Sequence, residues 1–202
     1  LKIGAGAIKK SIYETLGKND PNGVNVDTVL GILGSLGGFA CLLYAVSAEQ
    51  AGQGKDDPHA MVLITGADGK TYIFGNLSNG PLLEGTYSVW SLVGGMAQKL
   101  GSPVPDVQNI AAHVASTVGA DNFGIPRMPD GHYLPEKPMI YVQKLWPVLI
   151  PQVRLYVETT SEVSFLFALA AQQVIEEAKN VIDPGLAAQI VMECAIPMAR
   201  ID

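Results

Sequence analysis

Residues 28–46 read TVLGILGSLGGFACLLYAV, nineteen consecutive positions without a charge. A membrane-spanning helix needs about 20 apolar residues, so length and apolarity admit a span. Gly34 and Gly38 also form the G-x-x-x-G spacing that lets two helix backbones approach closely. Against a span, Gly31, Gly34, Gly37 and Gly38 lower the hydropathy, the flanks lack a Trp/Tyr belt, and no Lys/Arg excess stands near either end. The segment is therefore expected to be a buried core helix, with Asp27 as N-cap and its glycines admitting a neighbouring helix. The other helices then have a centre to pack against.

Working outward, the sequence predicts a short helix over 5–17, ended by Gly17 and the turn-rich Lys18-Asn19-Asp20-Pro21-Asn22-Gly23. Apolar residues recur at helical spacing over 86–100 and 106–118, the second opening on Asp106 as N-cap. Helical signal returns over 138–157, where Pro147 and Pro151 predict a break or kink. A long helix is expected over 161–181, and Asp183-Pro184 opens a last one to about 199. No repeat or linker divides the chain, so residues 1–202 are expected to form one domain with a hairpin at about 60–75.

That hairpin is the clearest local signal. Met61–Thr65 and Thr71–Phe74 are β-rich runs flanking Asp68-Gly69, a pair that favours a type I′ turn. Such a turn pairs Thr65 with Tyr72 and Leu63 with Phe74, placing Val62, Ile64 and Ile73 on one face. Both faces are apolar, and a lone two-stranded hairpin leaves two open edges. Helices could cover both faces, or the hairpin could pair with a second copy across a two-fold axis; the second is expected, with Val62, Ile64 and Ile73 as interface residues. The fold class expected is α+β and predominantly helical, with six to seven helices around this hairpin.

Composition points the same way. Charged residues are 16% of the chain, against roughly 25% in average soluble domains. Economy with surface charge is what burial against another copy, a partner or a bilayer produces. The 48% apolar content excludes intrinsic disorder. A net charge of −6, with no Lys/Arg run, argues against a nucleic-acid partner. Cys41 and Cys194 lie far apart in apolar stretches, which fits buried thiols in a reducing, cytoplasmic setting rather than a disulfide framework. Near the first residue, Lys9-Lys10 precede Ser11-Ile12-Tyr13-Glu14 rather than an apolar run, unlike a signal peptide.

Familiar catalytic patterns fail on inspection. Gly69-Lys70-Thr71 lacks the P-loop glycine at position 64, which is Ile, and its Lys opens a strand instead of a helix. Gly4-Ala5-Gly6 has Lys9 where a dinucleotide fingerprint needs glycine. His59, His113 and His132 show no metal-ligand spacing, so neither metal nor cofactor is expected. The irregular stretch 119–138, with four prolines and three glycines, concentrates charge in a charge-poor chain. There Arg127 could grip a carboxylate or phosphate and His132 could move protons near neutral pH, with Asp130 a further ligand-binding candidate; a composite metal site would use His132, Asp130 and a distant carboxylate. Glu193, bordering the apolar stripe of the last helix, could serve as an acid or base, or pair with Arg200. A proline-stiffened structural loop explains the same residues.

The function expected from sequence is a non-catalytic homodimeric assembly or protein-binding protein. One alternative is a small-molecule-binding protein or unfamiliar enzyme, with Arg127, Asp130, His132 and Glu193 as ligand-binding residues under the 119–138 loop. A second is membrane association through residues 28–46.

Overall fold

The computed structural model describes residues 1–17 and 23–201. Of the expected turn over Lys18–Gly23, residues 18–22 lie outside the described residues. The architecture is predominantly helical α+β. Its elements are α1 (Lys2–Gly17), α2 (Val26–Gln50), β1 (Val62–Thr65), β2 (Thr71–Phe74), α3 (Asn76–Asn79), α4 (Val89–Lys99), α5 (Val107–Ser116), α6 (Pro138–Val153), α7 (Ser161–Glu177) and α8 (Pro184–Met198). A π-helical turn, Gly80–Glu84, follows α3 directly.

Helix α2 is the centre, and α6, α7 and α8 pack around it. Its most apolar window is long and hydrophobic enough to cross a bilayer, yet 78% of that window is buried inside the protein. Leu30, Ile32, Leu33 and Leu36 of α2 join Leu166, Phe167 and Ile190 in one apolar core. The glycine spacing sets the closest approach: a Cβ on Gly34 would collide with the carbonyl of Val191, and one on Gly38 with that of Ala195. Two glycines four apart thus seat two α8 carbonyls four apart, the contact that small-xxx-small spacing permits in any solvent. The helix begins two residues earlier than expected. Asn25, not Asp27, is the N-cap, its side chain accepting the Asp27 N–H at 2.7 Å. Asp27 in the first turn is left to face inward.

Elsewhere Asp106 and Asp183 cap α5 and α8 as expected, accepting from the N–H groups of Asn109 and Leu186. Helix α6 differs from expectation, running unbroken from Pro138 to Val153 through both prolines. Pro147 and Pro151 are exposed, while Leu149 and Val153 are buried. The carbonyls freed by the prolines, those of Gln143 and Pro147, therefore belong to exposed residues that water can satisfy.

The hairpin forms, but its register differs by one residue from that expected. Val62 pairs with Phe74, Leu63 with Ile73, Ile64 with Tyr72 and Thr65 with Thr71. Gly69 N–H donates to the Gly66 carbonyl at 3.0 Å, and Gly66 N–H to that of Lys70 at 2.9 Å. Only Gly69 has positive φ, at +77°, so this is a three-residue loop with a bulge rather than a type I′ turn. The cause is the Asp68 carboxylate, which accepts the Lys70 N–H and the Tyr72 hydroxyl and holds Asp68 at negative φ. The shift moves Ile73 to the face opposite Val62 and Ile64, correcting the expected grouping.

Candidate functional site

The 119–138 loop is fastened at two points. Arg127 donates from Nε to Glu193 Oε1 at 2.9 Å and from its backbone N–H to Oε2 at 3.2 Å. Its Nη2 also lies 2.9 Å from Oε1, and Nη1 donates to Asn109 Oδ1 at 2.9 Å. The Glu193 side chain is 1% exposed and that of Arg127 39%. Each Glu193 oxygen accepts from Arg127, so the carboxylate is a fastening rather than a free base. Glu193 pairs with Arg127 and not with Arg200, the other partner its position allowed.

His132 makes the second fastening. Its Nδ1 lies 3.0 Å from Oδ2 of Asp27, which is buried at the start of α2. Oδ1 of Asp27 has no hydrogen-bond partner among the described residues. Asp130 is exposed and takes no part in either pair. The four residues proposed from sequence therefore divide into a pair, a residue paired with Asp27, and a solvent-facing carboxylate. Arg127 lines a cavity of about 270 Å³ with Asn109 and Gln189; His132 lines another of about 590 Å³ with Asn25 and Val181. Neither cavity contains both.

Sequence reading missed Asp27 and Asn109 as loop anchors. In the sequence Asn109 is legible only as a polar residue of α5, and a capping role accounts for Asp27. Among the described residues, no three His, Cys, Asp or Glu side chains converge as metal ligands. Burial pushes the Cys41 thiol up to about 12 and that of Cys194 higher still, so neither is a nucleophile near neutral pH.

The hairpin edges provide the remaining candidate. The outer edge of β2 is closed by the chain itself: Ile73 N–H donates to the Arg200 carbonyl at 2.7 Å, and Tyr72 bridges to Ile201. Tyr72 also stacks edge-on against Phe123. The outer edge of β1 is different. The hydrogen-bonded pair Gly66–Lys70 sets the alternation along the ladder, which turns the N–H and C=O of Leu63 and Thr65 outward. No other strand among the described residues meets them. Val62, Leu63 and Ile64 are 36%, 63% and 42% exposed, whereas Tyr72 and Ile73 are buried. Comparison with protein-family models, curated proteins and solved structures returned no match.

Proposed function

We propose that the protein is a non-catalytic assembly module that forms a homodimer by pairing β1 with the β1 of a second copy. The observation supporting this is the open edge of β1, with outward backbone groups at Leu63 and Thr65 and three exposed apolar side chains. Natural edge strands are protected by Lys, Pro or a covering element. Residues 60–67, Ala-Met-Val-Leu-Ile-Thr-Gly-Ala, contain no such guard and no charge. A second copy is the occupant because an antiparallel two-fold pairing matches outward donors to outward acceptors with no charge opposed to its like. The low overall charge agrees with a subunit contact, and the inward engagement of Arg127, Glu193 and His132 gives them a structural task instead of a catalytic one.

Sedimentation velocity tests the proposal. The subunit mass is 21.3 kDa, and a species of twice that mass is expected at micromolar concentration. Leu63→Pro removes one outward N–H while sparing the bonds to β2, and proline is tolerated on edge strands. That variant should sediment as a folded monomer. A wild type that is monomeric up to about 100 µM would sink the proposal.

A further inference from the structure

Arg200, just beyond α8, is 3% exposed and forms no ion pair with any described residue. Its Nη1 donates to Ser78 Oγ at 2.7 Å and its Nη2 to Asn79 Oδ1 at 2.6 Å, both on α3. The guanidinium carbon lies 4.8 Å from the centre of the Phe74 ring. Nε is buried with no hydrogen-bond partner among the described residues. A guanidinium has five N–H donors, so most of this fork is unused. Arg127 shows the usual solution, a buried carboxylate; among the described residues Arg200 has none. Burial lowers its pKa to about 10, which leaves it cationic at neutral pH. Among the described residues, the groups acting on it electrostatically are the Cys41 thiol, itself neutral, and Glu84.

The same arginine forms part of the wall of a groove of about 480 Å³ between the π-helical turn, α4, α5 and the end of α8. The groove is otherwise mainly apolar, with Leu83, Trp90, Val107 and Ala111 among its walls and Glu84, an exposed residue, also lining it. Its volume is in the range of small-molecule sites, which pair apolar walls with a few fixed polar groups. We propose that this groove binds a small monocarboxylate with an apolar body, the carboxylate on Arg200 and the body against Trp90 and α5. A single negative charge matches a single unpaired cation. A phosphate dianion would place a second charge among the apolar walls of a groove that Glu84 also lines. The planar fork of arginine also suits a carboxylate. This site shares no residue with the β1 edge, so the two proposals stand or fall separately.

Isothermal titration of the full chain with octanoate and with phenylacetate tests the site, with octanamide as the uncharged control. Both acids should bind with Kd of about 0.1–1 mM and octanamide should not. Glu84→Gln, at an exposed position, should tighten octanoate about threefold by removing a like charge. Ala112→Trp fills the groove from the exposed side of α5 and should weaken octanoate at least about tenfold at unchanged Tm. Absence of binding at about 10 mM, equal binding of octanamide, or weaker binding to Glu84→Gln would overturn the proposal. So would a folded Ala112→Trp variant that binds like wild type.

Discussion

Removing the guanidinium of Arg127 would strand Glu193, whose carboxylate is enclosed in the protein. Removing Glu193 leaves Arg127 with 39% exposure and a route to water. The two deletions are therefore unequal, although they break the same pair. Arg127→Met should cost about 3–5 kcal/mol, and Glu193→Gln, which can still accept hydrogen bonds, about 1–2 kcal/mol. The double variant Arg127→Met with Glu193→Met should be more stable than Arg127→Met alone, since it leaves no charge stranded. Urea denaturation of the four proteins reads the ordering, and equal costs for the two single changes would remove the argument. Arg127 was visible in the sequence as a charge of the irregular 119–138 loop, and Glu193 as a charge in apolar surroundings. Their pairing was not, because 66 positions separate them and no local pattern selects one distant carboxylate over another.

At the scale of elements, the glycines of α2 are not equivalent. Added methyl groups at Gly34 and Gly38 would meet backbone carbonyls of α8, which cannot move without separating the helices. At Gly37 the nearest atom is Phe167 Cβ at 3.6 Å, an ordinary contact. Gly34→Ala and Gly38→Ala should each destabilise by about 2 kcal/mol or more. Gly37→Ala should be neutral or stabilise by up to about 1 kcal/mol, through helix propensity. Thermal denaturation measures both directions. The hairpin offers a second contrast. Ile73→Lys buries an ammonium and should lower Tm strongly, whereas Ile64→Lys places it on the open edge and should abolish the dimer at nearly unchanged Tm. If Ile64→Lys stays dimeric, the subunits meet elsewhere. The hairpin's existence was legible in two β-rich runs around Asp68-Gly69. Its register depended on where the Asp68 carboxylate found donors, which moved the pairing by one residue and exchanged the faces.

For the whole molecule, an interface made from an uncharged strand should respond little to ionic strength. Dimer affinity should change less than about twofold between 50 and 500 mM salt, because screening acts on charge pairs that this edge lacks. A steep salt dependence in sedimentation equilibrium would place the contact on a charged surface instead. What the sequence by itself determined was local: the apolar run that becomes α2, the Asp caps of α5 and α8, the helix–proline openings, and the presence of one hairpin. Those signals act within one or two turns of chain, where periodicity and capping chemistry are complete. Tertiary structure alone decided which glycines of α2 meet α8, which carboxylate holds Arg127, and which hairpin edge the C-terminal residues close. It also left Arg200 enclosed without an ion pair among the described residues. Each of these outcomes is a choice among distant partners, made by packing geometry and desolvation once the helices had docked.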